Sequence, residues 1–400
     1  MLTALDQFGR RVQLIHATKS SPPYYCPLCK QPVIAKRGSY KVWHFAHERH
    51  TACEGHLETA HHRAGKQRLY DWLLQQKLPV ELEWYLPEIK QRPDLYFKRN
   101  AKAYAIEYQC SATSQAVIQS RTANYLKAGI EPIWILGEPR IQSPSASIQH
   151  MTSFDWLFVL HDHVLEPVLL TFSPVKQSFT FFQQLIPLSH RKTLVQAMSM
   201  PLEQARAYHL SKPPRPNEAF SVSDIWLQYK TKWRLTFSQF AVNRHSLARR
   251  WYTAYGKPVS LLPSFIGLPC RGMNLVKGPA WEWQAEWMLA FVKPRAGRSF
   301  TLKDVAQWLS SRQNRFMTSR KSAFPTDESR LLITAVQSYL DVLCFLRICH
   351  KDKTTYQIQW DGAHDNEMEK VLALDKVFLC KAIEHYKAEC AGISRLHPET

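Results

Sequence analysis

The sequence predicts an α/β protein in three parts, and three observations carry that expectation. A stretch dense in cysteine and histidine opens the chain. Helical and strand-like patterns then follow one another from residue 56 to 137. Helical periodicity dominates beyond the proline cluster Lys212-Pro-Pro-Arg-Pro216, which cannot continue a helix. The expected divisions are a zinc-finger-like module over 1–56, an α/β domain over 57–190 and a basic, mainly α-helical domain over 191–400. A chain of 400 residues has room for two or three domains and a sizeable core.

In order, the central domain reads as helix, three strands, helix, strand. The first helix runs from about His56 to Gln76, with Leu69, Trp72 and Leu73 on its apolar side. Val80, Leu82, Trp84 and Leu86 alternate with Glu81, Glu83 and Tyr85, which predicts a half-buried strand over 80–86. A strand over 91–97 carries Asp94, and one over 103–111 carries Glu107 and Gln109. Residues 113–128 read as a helix opened by Thr113 or Ser114 and closed by Gly129, and Pro132-Ile-Trp-Ile-Leu136 as a buried central strand. Trp156–Leu160 and Val164–Phe172 read as two further strands.

Lys plus Arg number 52 and Asp plus Glu 33, a formal net charge of +19. Such an excess suits a polyanionic partner, nucleic acid first. Basic residues are spread along the chain rather than gathered in an amphipathic stripe, and no apolar run is long enough to span a bilayer, so membrane insertion is not expected. The N-terminus lacks the pattern of a secretory signal, which predicts a cytoplasmic protein. From Trp226 to Lys257 there are seven Lys or Arg, eight aromatics and no acid, and residues 293–321 are again basic. Cations meet phosphates and aromatics offer bases a stacking surface, so DNA contact is expected here, single-stranded DNA favoured; the helical spacing of Trp233, Phe237 and Phe240 suits core packing instead.

Nine cysteines in a reducing compartment point to metal ligands or buried thiols. Cys26 and Cys29, with His44 and His47, supply four ligands from two short loops, as a structural Zn²⁺ needs. The two-residue gap between the histidines is short for a zinc finger, which leaves His50 or Cys53 as an alternative ligand.

Glu107 and Gln109 lie two apart on one strand and so share a face, where Asp94 of the neighbouring strand can meet them. Carboxylates so arranged suit a divalent metal beside a phosphate. Glu58, His62 and Lys66, four apart, fall on one side of the first helix. Arg121 and Tyr125 share a face of the next. This order of elements resembles the core of the PD-(D/E)XK nucleases, which have a restriction-endonuclease-like fold. With Cys26-Pro-Leu-Cys29, Trp43-His-Phe-Ala-His47, Arg92-Pro-Asp94, Ile106-Glu-Tyr-Gln-Cys-Ser111 and Ile133-Trp-Ile-Leu136, the chain resembles the competence protein CoiA family over about residues 24–137. The resemblance implies a protein acting on incoming transforming DNA during recombination, in naturally competent Gram-positive bacteria, with recombination proteins as potential partners. It implies Asp94 and Glu107 as ligands of Mg²⁺ or Mn²⁺, Glu58 as their helix-borne partner, and Gln109 in the place of the usual catalytic Lys. A Gln amide can orient water but cannot ionise, so Lys66 is the candidate substitute cation. The expected activity is metal-dependent DNA cleavage; the alternative is a DNA-binding recombination accessory with a degenerate site.

Overall fold

The computed structural model describes residues 1–14, 22–38, 42–48, 53, 58–137, 147–161, 167–214, 222–237, 245–311, 317–360 and 367–396. The N-terminal part is an antiparallel sheet of β1 (Thr3–Leu5), β2 (Arg11–Gln13), β3 (Tyr24–Tyr25), β4 (Pro32–Lys36) and β5 (His44–His47), in the order β2-β1-β3-β4-β5. Its core is small, with Tyr24 and Phe45 in edge contact at 5.0 Å.

The central elements follow the expected order: α1 (Ala60–Gln75), β6 (Val80–Leu82), β7 (Leu95–Arg99), β8 (Lys102–Gln109), α2 (Gln115–Lys127) and β9 (Ile130–Gly137). Ser114 and Thr59 cap the two helices, each side chain accepting a backbone N–H. Strand alternation builds two layers around the sheet. Ile133 and Ile135 of β9 pack with Leu69 and Leu73 of α1, whereas Trp134 and Leu136 pack with Ile118 of α2. Strands β8 and β9 are parallel, with α2 as the crossover between them.

Two boundaries differ from expectation. The strand predicted over 80–86 stops at Leu82, because Glu83 takes a left-handed φ of 53°. The alternation therefore breaks, so Glu83 is buried while Trp84 and Tyr85 are exposed. The apolar block from Trp156 is not a strand: Ser153–Leu157 forms a short helix, α3, started by a reciprocal Thr152–Asp155 capping box.

The sheet also continues beyond the expected domain boundary at 190. Strands β10 (Ile148–His150), β11 (Leu160–His161), β12 (Pro167–Ser173), β13 (Ser178–Pro187) and β14 (Lys192–Pro201) extend it to nine, in the order β10-β14-β13-β12-β9-β8-β7-β6 with β11 beside β12. Residue 190 lies in the β13–β14 connection, so a cut there would split a hairpin whose strands pair from Ser178 to Pro187. Beyond it the protein is mainly helical, with helices over Val222–Thr236, Ser246–Tyr255, Ala280–Trp287, Leu302–Ser310, Glu328–Phe345 and Met368–Leu396 and a small sheet of β15 (Phe300–Thr301), β16 (Cys349–Asp352) and β17 (Thr355–Ile358). Trp233 and Phe237 pack on Trp281 at 4.7 and 5.5 Å, as their spacing predicts; Phe240 lies outside the described residues.

Helix α1 packs tightly on β8 at Gly65. A Cβ there would lie 2.0 Å from the Tyr108 ring, whose hydroxyl donates to the Phe172 carbonyl at 3.1 Å. Gly65→Ala is expected to cost roughly 1–3 kcal/mol by forcing ring and helix apart. A urea-unfolding midpoint equal to that of the wild type would show that the contact yields freely.

Candidate functional site

Asp94 sits just before β7, and the Leu95–Ile106 register, carried one step further, brings it opposite Glu107 of β8. The Tyr108 N–H donates to Asp94 Oδ2 at 2.9 Å and fixes that carboxylate at the end of the sheet. From this end the two acids look to opposite layers. Asp94 meets α1: His62 Nε2 is 3.2 Å from Oδ2 and Lys66 Nζ is 3.5 Å from Oδ1. Glu107 meets α2: Tyr125 donates its hydroxyl to Oε1 at 2.5 Å, and Arg121 pairs with the same oxygen. Arg121 also donates to the Arg92 carbonyl at 3.2 Å. Arg121 and Tyr125 thus act together on one carboxylate.

Lys66 is 3% exposed and is enclosed by acids. It pairs with Glu58, with Glu83 Oε1 at 2.5 Å and with Asp94. Glu83 was not evident as a site residue from the sequence. It accepts hydrogen bonds from the N–H groups of Leu2 and Thr3, at 3.0 and 3.1 Å, and from the Thr3 hydroxyl at 2.8 Å, with Arg92 3.9 Å away. The N-terminal sheet is therefore tied directly into the acid cluster. The Met1 ammonium adds a second tie, 2.9 Å from Glu58 Oε2.

Glu58 precedes the capping residue Thr59, so it lies just off the helix on which its spacing placed it. Its partners are Lys66, the Met1 ammonium and His62 Nδ1, the last at 3.3 Å. Gln109 shares the predicted strand face, but its amide is turned to the Ser111 carbonyl.

The protonation states follow from these contacts. Burial would raise Glu58, Glu83 and Asp94, but the surrounding cations outweigh it and hold all three carboxyls low, Lys66 acting on each of them. Burial would lower His62, yet Asp94 and Glu58 raise it to about 9, so it is an imidazolium at neutral pH with both nitrogens donating. Lys66 is raised despite its burial by Glu83, Glu58 and Asp94. Glu107 goes the other way: burial, reinforced by the charge on Asp94, raises it against the pull of Arg121. Neighbouring carboxyls pushed in opposite directions are a recurrent property of sites that handle protons or cations.

A second cluster lies in the N-terminal part. Cys26, Cys29, His47 and Cys53 bring one ligand atom each to within 4.8 Å of one another, a set that could hold a metal ion. Among the described residues this is the one group of three or more His, Cys, Asp or Glu so gathered. Cys26 Sγ and Cys53 Sγ are 3.8 Å apart, which matches the edge of a tetrahedron with metal–sulfur bonds of about 2.3 Å. Cys29 Sγ is 3.2 Å from His47 Nε2. The turn closes through Cys26 N–H to the Gln31 carbonyl and Lys30 N–H to the Cys26 carbonyl, with Lys30 at φ 59°. His44 is not in the set: its Nδ1 lies 2.9 Å from the Val42 carbonyl. Residues 44 and 47 are on one strand and three apart, so they point to opposite faces, and only one can reach the cysteines. Cys53 takes the fourth place; His50 lies outside the described residues.

The basic C-terminal run is partly internal. Lys230 and Arg234 are buried on Asp375 at 2.9 and 2.5 Å, and Arg250 pairs with Glu286, so these cations are committed to the fold rather than to a ligand. Arg312 and Arg315 lie outside the described residues. Among the described residues no helix is long and apolar enough to cross a membrane.

Comparison with known proteins covers most of the chain. The N-terminal domain of competence protein CoiA matches residues 8–56, its nuclease-like domain residues 58–215 and its C-terminal domain residues 222–372. Competence protein CoiA of Bacillus subtilis (strain 168) is 27% identical over 361 residues, which span 88% of this chain and 94% of that protein. No solved structure matches.

Proposed function

The chain belongs to the competence protein CoiA family, and from that premise we propose that it processes transforming DNA as a divalent-cation-dependent nuclease of the PD-(D/E)XK kind. The observation that carries this reading is Asp94 and Glu107 on neighbouring strands at one end of the sheet, turned to opposite layers, with one carboxyl held low and the other pushed up. The order α1, β6, β7, β8, α2, β9 is what a restriction-endonuclease-like core requires and supports the same reading. Mg²⁺ or Mn²⁺ commonly binds through one or two carboxylates, with water and phosphate oxygens completing the shell, and Asp94 and Glu107 would supply them on leaving their cationic partners. Such an ion supplies acidified water and charge neutralisation. Glu58 fits a different role: bound to Lys66 and the Met1 ammonium, it positions Lys66 rather than reaching a metal. His62 and Lys66 orient Asp94, while Arg121 and Tyr125 orient Glu107.

One observation favours a second reading, a DNA-binding recombination accessory. Each acid of the site already has a cationic partner, and Gln109 is bonded to its own chain. Purified protein with labelled single-stranded and duplex DNA, in Mg²⁺, Mn²⁺ or chelator, separates the two. Cleavage is expected in metal only, and Asp94→Asn or Glu107→Gln should lower it at least about a hundredfold while binding persists. Clean binding without cutting in either metal would exclude the nuclease. The cysteine–histidine set is proposed as a structural zinc site.

A further inference from the structure

A cleft of about 190 Å³ opens in the C-terminal part, between the end of the helix Ser246–Tyr255, the turn over residues 293–298 and the residues after β17. Its wall is aromatic. Tyr255 and Trp360 have ring centroids 5.4 Å apart, and Trp360 is backed by the buried Trp251, stacked at 6.3 Å with an interplanar angle of 12°. Its rim is cationic: Lys293, Arg295 and Arg298 all line it, and among the described residues the lining contains no carboxylate. The rim is held in place rather than loose. Lys293 donates to the Ala254 carbonyl at 2.7 Å with its ammonium 4.5 Å from the Tyr255 ring centre. Arg295 lies 4.1 Å over the Phe291 ring and donates to the Phe291 carbonyl at 2.9 Å. Gly297, at φ 74°, turns the chain and has no heavy atom near its Cβ direction, which leaves the mouth open.

We infer that this cleft is a nucleotide-binding station for single-stranded DNA, with a base stacked against Trp360 beside Tyr255 and flanking phosphates on Arg295, Arg298 and Lys293. An aromatic wall accepts any base by its face, and two cations held in place, with the exposed Arg298 beside them, track a backbone. A paired base in a duplex cannot present its face to this wall, so the cleft selects unpaired strands. The inference rests on DNA being the substrate proposed above and is independent of whether the Asp94–Glu107 site cuts.

The test uses full-length Asp94→Asn protein, so that cutting does not consume the probe, and anisotropy of a labelled oligothymidylate titrated at several salt concentrations. The double variant Arg295→Ala/Arg298→Ala sits on the rim and should stay folded, with only a small drop in melting temperature from the lost Arg295–Phe291 contacts. It is expected to lose about tenfold in affinity, with a log–log salt slope shallower by about 1.4, two phosphate contacts at about 0.7 each for single strands. Trp360→Ala should lose about tenfold as well, with little change in salt slope. If the arginine variant binds with wild-type affinity and salt slope, the station is elsewhere and the inference fails, whatever Trp360→Ala does. If blunt duplex DNA binds as tightly as oligothymidylate and suffers equally in the arginine variant, the single-strand assignment fails. Binding of the expected kind without cleavage by the wild type would uphold this site while removing the nuclease reading.

Discussion

Lys66→Met should cost about 3–5 kcal/mol of folding stability at neutral pH, the usual consequence of removing one partner from a buried charge cluster. The ammonium of Lys66 is the shared counterion of Glu58, Glu83 and Asp94. Without it, three carboxylates remain with only His62, Arg92 and the Met1 ammonium to offset their burial. The pH dependence carries the sign of the mechanism. In the wild type the three carboxyls are depressed below their ordinary values of 3.8 and 4.5, so their contribution is complete above those values and is lost as pH falls through the folded ones. In the variant that depression weakens, so the three carboxyls contribute less stability as pH climbs. The gap between the two proteins should therefore widen from pH 4 to pH 7. Urea unfolding at both values measures it. A gap below about 1 kcal/mol at pH 7 would mean that the ammonium is free of the cluster and available for chemistry at the phosphate. Converting Glu83 to Gln in the same chain should recover part of the loss, since neighbours in one network couple strongly.

The same cluster shows how far the residues themselves disclosed the site. The expected shared face did not follow, since Asp94, just before β7, turns to α1 while Glu107 turns to α2; alternation along β8 and the register to β7 placed the two only opposite each other, because a period of two holds wherever the backbone stays extended. It fails at Glu83, where a φ of 53° moves a residue that reads as solvent-facing into the interior. It fails at Gln109, the last residue of its strand, whose amide bonds locally. Spacing by four placed Glu58 on α1, but Thr59 caps the helix one residue later, and Glu58 reaches Lys66 from outside it. Arg121 and Tyr125 were legible as a pair on one helix face, while their common target was not, since a crossover contact from α2 to β8 has no local signature. The hydrogen bonds from Leu2 and Thr3 to Glu83 span about eighty residues, and no pattern within either segment announces them. For the C-terminal part, charge density overstated the binding surface because Lys230 and Arg234 are neutralised by an acid far along the chain, Asp375.

Removing metal from the N-terminal cluster is expected to unfold that sheet and to reach the acid site as well. The purified protein should hold about one zinc per chain. Cys29→Ser, Cys53→Ser and His47→Ala should each reduce this to a small fraction, whereas His44→Ala should leave it unchanged, because only the first three belong to the gathered set. A structural zinc in a module of this size contributes much of its folding free energy, so the loss should be on the order of 5 kcal/mol, below the full value for an isolated finger because Tyr24, Val33 and Phe45 supply a core of their own. The path to the acid site is short. Cys26 follows β3 and His47 ends β5; β3 pairs with β1, and β1 carries Thr3, which with Leu2 caps Glu83. When the metal ties are cut, Leu2 and Thr3 lose their anchor, and Glu83 is left buried with fewer donors. Amide hydrogen exchange of Leu2 and Thr3 should then speed up together with that of the Tyr108 N–H, which holds Asp94. Exchange faster at Leu2 and Thr3 but unchanged at Tyr108 would mean that the metal stabilises its own sheet and leaves the acid site untouched. Loss of zinc from His44→Ala equal to that from His47→Ala would overturn the ligand set itself.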